Sequence, residues 1–272
     1  MICLTNADKQ LAWCPGCGNY AILKAFNAAI AESGIEPKAL VLVSGIGQAA
    51  KFPHYVTPPV NIYNGLHGRA LPAATGIKLA NHKLKVVVTS GDGDMYGEGG
   101  NHFITAVRRN IGVVAFVHDN QVYALTKGQA SPTSDLGFVT KIQTHGVMNT
   151  PFNPLALAIV EDASFVARSF SGDFDHLKSM MLAALHHPGG FALLDILQPC
   201  VSFNKVNTYK WYKEHVQYID PAHDPRDKRA ALELALQWGE HIPIGILYKG
   251  NRPSLEMQLP AIKVDTLVAQ LG

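Results

Sequence analysis

Ser90-Gly91-Asp92-Gly93-Asp94 and, further along, Asp119-Asn120-Gln121-Val122-Tyr123 decide how this chain is read, because each follows a run that reads as a buried strand. Leu84 to Thr89 (LKVVVT) and Ile111 to Val117 (IGVVAFV) are apolar and β-branched, the pattern of strands covered on both faces in a parallel sheet. Between them, Gly97 to Arg109 has the length and spacing of a crossover helix, with Phe103, Ile104, Ala106 and Val107 inward. Arg108 and Arg109 fall near its C-terminal end, where the helix dipole favours cations. The resulting βαβ unit sets Asp92 and Asn120 side by side at the carboxyl edge of adjacent strands, the edge at which open α/β sheets bind ligands.

Gly91 and Gly93 let the backbone pass close to a diphosphate and present its N–H groups. The Asp92 carboxylate and the Asn120 carboxamide are hard oxygen ligands of the kind Mg²⁺ takes. A bare tight turn would also read GDG. The neighbouring strand and the second oxygen ligand tip the reading toward a diphosphate held through a metal.

GDG followed after about 25 to 30 residues by Asn resembles the thiamin diphosphate fingerprint, and the surrounding sequence narrows the resemblance. WCPGCGNY (13–20), SGIGQAAKFPHY (44–55), NGLHGRALPAATGIKLAN (64–81), GGNHFITAVRRN (99–110), DNQVYALTKGQASPTS (119–134) and LQPCVSFN (197–204) resemble, in order, the β subunit of 2-oxoacid:ferredoxin oxidoreductases. The fold so implied is α/β, a doubly wound, mostly parallel sheet of the thiamin diphosphate-binding type. The activity implied is oxidative decarboxylation of a 2-oxoacid with coenzyme A to acyl-CoA and CO₂, the electrons passing through an iron–sulfur cluster to ferredoxin.

By the same resemblance the cofactor is bordered by Ser44, Gly45, Ile46, His67, Gly91, Asp92, Gly93, Asp94, Asn120, Val122, Ala124, Leu125 and Thr126. Asp92, Asn120 and the Val122 carbonyl would hold Mg²⁺. Lys51 would face the substrate carboxylate, His67 would border both diphosphate and substrate, and Lys127 matches relatives of broad 2-oxoacid range. Each has a blander reading: the two lysines as solvated cations and the histidine as a structural hydrogen-bonder. The chain supplies only the diphosphate half of such a site, so a partner α subunit is implied.

The resemblance also implies a 4Fe–4S cluster on four cysteines. Three are present, as Cys14, Cys17 and Cys200, and the fourth position is Gln48. A carboxamide is a poor substitute for a thiolate on iron. Cys3 is a candidate replacement. Read from the residues alone, the Cys14–Cys17 pair stays open among redox pair, zinc site, iron–sulfur ligand and no role, although a helix start near it would favour the ionised thiols.

Composition narrows the remaining classes. With 272 residues, 47% apolar and 16% charged, the chain can bury a large core as one domain, 1–272, with the CxxC knuckle at its start and an α/β extension at its end. A net charge of +2 with scattered Lys and Arg points to no nucleic acid, and no run is long enough for a membrane span. Met1-Ile2-Cys3 begins no signal peptide, so the expectation is cytoplasmic. Four cysteines are too few for a disulfide framework. Further expected elements are a helix over 19–32, strands over 40–43, 165–170, 191–197 and 242–249, and helices over 70–78, 173–187, 226–239 and 262–271. Two other functions fit parts of the chain: a non-oxidative thiamin-dependent decarboxylase, which needs no cluster, and a structural zinc subunit with a vestigial cofactor loop.

Overall fold

Eight strands form one sheet: β1 (Leu40–Ser44), β2 (Asn61–Asn64), β3 (Lys85–Gly91), β4 (Val113–Asp119), β7 (Phe165–Phe170), β8 (Ala192–Leu197), β9 (Val216–Tyr218) and β10 (Ile242–Tyr248), in the order β2-β1-β3-β4-β8-β7-β10-β9. A short hairpin, β5 (Val122–Tyr123) and β6 (Gln129–Ala130), stands apart from it. This is a computed structural model, and it describes residues 11–263 and 265–270. Cys3 lies outside the described residues.

The β-branched runs fall where their pattern requires. Val88 sits between Val43 of β1 and Ala115 of β4 in parallel register. Val86 and Val88 face one side of the sheet, packed beneath α2 (Ala70–Ala80), α3 (Gly100–Arg109), α4 (Pro154–Val160) and α7 (Lys228–Ala235). Val87 faces the other, beneath α1 (Gly18–Ser33) and α5 (Phe174–Leu185). Both faces are therefore dry, and the sheet is doubly wound as expected. Phe103, Phe116, Phe165 and Phe191 are fully buried, each contributing about 1.5–3 kcal/mol on the scale of apolar transfer.

Local chemistry sets the helix ends. Asp173 caps α5 by accepting from the His176 N–H, and Asp227 caps α7 by accepting from Arg229 and Ala230, so both helices start within two residues of the expected place. Pro154 opens α4 behind the Asn153 cap, a helix the sequence reading did not include.

Three expectations change. The crossover is not one helix from Gly97: the chain leaves β3 through a π-helical turn, Gly93–Glu98, breaks at Gly99, and only then begins α3. The break is steric, since a Cβ on Gly99 would fall 2.6 Å from the Asp94 carbonyl oxygen. Helix 226–239 shortens to α7, which follows the short α6 (Tyr209–His215), and in place of the expected closing helix over 262–271 come α8 (Leu255–Gln258), a 3₁₀ turn, Pro260–Lys263, and the short α9 (Leu267–Gln270). β10 runs antiparallel to β7, the one reversed pairing in the main sheet among the described residues.

β1 sends the chain outward to β2, whereas β3 lies on its other side. The segment after β1 packs Phe52 and Val56 onto one face and the segment after β3 packs Met95 and Tyr96 onto the other. The two exits therefore diverge, which opens a crevice at the topological switch.

Candidate cofactor and metal site

The crevice holds a cavity of about 80 Å³ lined by Ile46, His67, Gly91, Asp92, Gly93, Asp94, Asn120, Val122, Ala124, Leu125 and Thr126. Eleven expected residues from four separate stretches thus meet in one place. Gly47, Gln48, Ala49 and Tyr123 complete the wall and were not expected there. A Cβ on Gly91 would meet nothing within 4 Å, so the glycine faces open space, whereas one on Gly93 would strike the Tyr123 ring at 2.3 Å. Glycine at 91 leaves room for a ligand; glycine at 93 leaves room for the hairpin.

Asp92 is 1% exposed and has no cationic partner among the described residues. Its Oδ2 accepts from Thr133 Oγ1 at 2.7 Å, and Thr133 also lies 2.9 Å from Asp119 Oδ1. Burial raises Asp92 above the ordinary aspartate range, against hydrogen bonds from Ser131 and Thr133. A buried carboxyl in that condition is neutralised by a proton or paired with a cation. Asn120 closes an Asx turn, its Oδ1 accepting from the Val122 N–H at 3.1 Å, while its Nδ2 donates to Gln198 Oε1. Gln121 between them has φ +58°, a left-handed conformation held by Thr133 O, which accepts from Gln121 Nε2, and by Ser134 Oγ, which donates to Gln121 O.

Asp94 lines the cavity yet spends its carboxylate on the protein. Oδ1 accepts from Ile46 N (3.1 Å), Gly68 N (2.7 Å) and His67 Nδ1 (2.6 Å), and Oδ2 from Ser90 Oγ (2.5 Å). One side chain therefore ties together the loops after β1 and β3 and the approach to α2. Glycine at 45 is needed for this, because a Cβ there would lie 2.2 Å from Asp94 Oδ2. His67, 38% exposed, uses Nδ1 on Asp94 and keeps Nε2 on the open side, 3.6 Å from Glu98.

Four expected residues stand behind or beside this wall. Ser44 is fully buried, its hydroxyl donating to Ala50 O and accepting from Asn64, and Asn64 Nδ2 also donates to Gly45 O. Lys51 Nζ donates to Gln48 Oε1 (3.0 Å) and Ala12 O (3.2 Å). Lys127 is exposed at the tip of the β5–β6 turn with φ +81°.

A second, smaller cavity adjoins the first. Cys14, Cys17 and Cys200 line it together with Trp13 and Gln198, and Gln48, Asn120 and Ala124 belong to both cavities. Cys17 is the residue before α1, but burial overrides the helix-start effect expected from the sequence: with Cys200 and Cys14 adding to it, burial pushes the Cys17 thiol up to about 11. Gln198 Nε2 donates to Cys17 Sγ at 3.3 Å. No three His, Cys, Asp or Glu side chains among the described residues stand close enough to hold a single ion.

The sequence reading missed a third group. Arg168 and Asp195 lie in the carboxyl halves of β7 and β8 and Asp119 ends β4, all three beside a cavity of about 360 Å³ that Thr133 also lines. Arg168 is 4% exposed, its guanidinium 5.6 Å from the Trp238 ring, with Nε and Nη1 unpartnered. Tyr96 donates to Asp195 at 2.8 Å, and burial raises Asp195 to about 6 while Arg168 opposes the rise. A charge within an apolar run has no sequence signal beyond its presence in FVARSF (165–170).

The fold and the crevice define the diphosphate-binding half of a thiamin diphosphate enzyme. Residues 45–196 match the family described as the C-terminal TPP-binding domain of thiamine pyrophosphate enzymes, and residues 200–264 match the C-terminal part of the pyruvate ferredoxin oxidoreductase β subunit. The β subunit of 2-oxoacid:ferredoxin oxidoreductase from a Sulfolobus species is 45% identical over 261 residues, covering 92% of this chain and 85% of its own. That from Saccharolobus solfataricus is 46% identical over 250 residues, covering 88% and 82%. A solved 2-oxoglutarate:ferredoxin oxidoreductase from Magnetococcus marinus, with 2-oxoglutarate, coenzyme A and succinyl-CoA bound, superposes with a TM-score of 0.90 at 36% identity, covering 97% of this chain and 91% of that one. The chain belongs to the β subunits of the 2-oxoacid:ferredoxin oxidoreductases. It is a subunit of an oxidoreductase that acts on a 2-oxoacid together with a partner α subunit. No helix among the described residues is long and apolar enough to cross a membrane.

Proposed function

We propose that this subunit binds thiamin diphosphate through Mg²⁺ held by Asp92, Asn120 and the Val122 carbonyl, and that Cys14, Cys17 and Cys200 hold an iron–sulfur cluster beside it. The observation that carries the first part is the buried, cation-free Asp92 next to Asn120, opening onto the bare backbone of Gly91. When bound, thiamin diphosphate supplies the electron sink for decarboxylation of a 2-oxoacid. This chain's residues fix that group in place: Asp92 and Asn120 present oxygens, the Gly91–Gly93 backbone presents N–H donors, and Asp94 holds the surrounding loops. His67 offers Nε2 to the open side of the crevice as a proton donor or acceptor toward substrate. Two of the three Lys51 ammonium donors are committed, which leaves one for a substrate carboxylate.

For the cluster, the support is that three soft ligands from two distant segments line one cavity together with three residues of the cofactor cavity. The Cys17 thiol, raised by burial and by the neighbouring Cys200 and Cys14, is one that a metal cation would deprotonate. Cysteine thiolates are the ordinary ligands of an iron–sulfur cluster. Electrons leaving the 2-oxoacid would then pass through it to ferredoxin, with coenzyme A taking the acyl group.

Asp92→Ala and Asn120→Ala test the metal assignment. Calorimetric titration of thiamin diphosphate should show at least a tenfold loss of Mg²⁺-dependent affinity in each, since Mg²⁺ tolerates little change in its oxygen shell. Parent-like affinity in both variants would remove these residues from the metal site.

A further inference from the structure

We propose that the metal group on Cys14, Cys17 and Cys200 has one coordination position that this chain leaves open, at the corner faced by Gln48, on the side of the cofactor cavity. The inference rests on the cluster reading above and adds to it the state of the fourth corner.

Gln48 lines both cavities, as Asn120 and Ala124 do. Its one atom able to bind a metal is Oε1, and that atom accepts from Lys51 Nζ at 3.0 Å. An ammonium only donates, so the pair fixes which way the amide points. Lys51 is fastened in turn to Ala12 O at 3.2 Å, and the Gln48 carbonyl accepts from Trp13 Nε1 at 2.9 Å. Main chain and side chain of Gln48 are thus held by the very segment that carries Cys14.

Turning Oε1 toward the thiols would break a charge-assisted hydrogen bond and offer iron a neutral oxygen in place of a thiolate. What Gln48 presents away from Lys51 is Nε2, an N–H₂ donor with no lone pair for a metal. It acts as a spacer, and three thiolates complete three corners only. The iron at the fourth would carry a small exogenous ligand, of the class of water, hydroxide, cyanide or a small thiol, next to the space shared with Asn120 and Ala124.

The test uses the αβ complex, reconstituted anaerobically with iron and sulfide, as parent, Gln48→Ala and Gln48→Cys. Iron content and low-temperature electron paramagnetic resonance are measured before and after one-electron oxidation by ferricyanide with a ferrous chelator present, so that the oxidant takes the electron and the chelator takes the released Fe²⁺. Parent and Gln48→Ala should both convert to the three-iron signal and lose about one iron in four, whereas Gln48→Cys should keep its iron. Cyanide added to the reduced protein should shift the signal of the first two and not of the third. A parent as resistant as Gln48→Cys, with only Gln48→Ala losing iron, would make Gln48 a ligand and overturn the open corner while the cluster stands. No iron in the parent, whether or not Gln48→Cys acquires it, would overturn the cluster reading and this inference together.

Discussion

Asp195 and Arg168 are register partners on β8 and β7, on a largely apolar sheet face that Asp119 shares. Burial raises Asp195 to about 6, from roughly 4 for an ordinary aspartate. Between those values the folded protein binds the proton more than the unfolded chain does. The stability it contributes is therefore complete below about pH 4 and is lost as pH rises through about 6, a total of roughly 3 kcal/mol. Asp195→Asn imitates the protonated form, so its melting temperature in the cofactor-free protein should match the parent near pH 4.5 and exceed it by several degrees at pH 7.5. A difference that does not change with pH would mean that Asp195 is not titrating. No residue pattern announces this pair: FVARSF reads as a strand, and which neighbour an inward charge meets depends on β8, some 25 residues away. Asp92 and Asn120 were legible by contrast, because each ends an apolar run and the strand fixes its place.

Among the elements, the three loops around the crevice depend on Asp94. Asp94→Ala would leave the Ile46 and Gly68 N–H groups, Ser90 Oγ and His67 Nδ1 without their acceptor. Orphaned donors cost about 1–3 kcal/mol each when buried, and less where water can reach them. We expect a loss of about 3 kcal/mol, seen as a fall in melting temperature on the order of 10 °C, with thiamin diphosphate affinity at least tenfold weaker. Asp94→Asn, which retains an accepting oxygen, should fall between. Weaker cofactor binding at an unchanged melting temperature would instead mean that Asp94 contacts the cofactor itself. The GDGD stretch predicts a loop that approaches a ligand; it does not reveal that its second aspartate faces back into the protein. That role needs residues 46, 67 and 68, which only the tertiary fold brings within reach. The π-helical turn was hidden for a related reason, since the helical pattern of Gly97 to Arg109 does not reveal that Gly99 must clear the Asp94 carbonyl.

At the scale of the whole molecule, a cavity of about 80 Å³ falls well short of the ~300 Å³ or more that encloses a drug-sized ligand. Ile46 and Leu125, both in its wall, are 37% and 40% exposed, apolar surface left for something to cover. The separate chain should bind Mg²⁺ and thiamin diphosphate at least tenfold more weakly than the complex with the α subunit does, measured by calorimetry on both. Equal affinity would place the whole site within this chain. The adjacency and shared direction of β3 and β4 were readable because one βαβ crossover joins them. The antiparallel β10 was not, since its run IPIGILY carries no mark of the direction in which it inserts between β7 and β9.

Of the three tryptophans, Trp211 and Trp238 sit together, ring centroids 6.2 Å apart, whereas Trp13 is 6% exposed in the wall of the cysteine cavity, its indole N–H on the Gln48 carbonyl. The chain therefore carries its own optical probe. Iron–sulfur groups absorb broadly through the near ultraviolet, so loading one against this indole should extinguish its emission. Assembly of the centre could then be followed in real time, without a label, as a fall in fluorescence. Trp13→Phe should diminish the fall while the iron is still taken up.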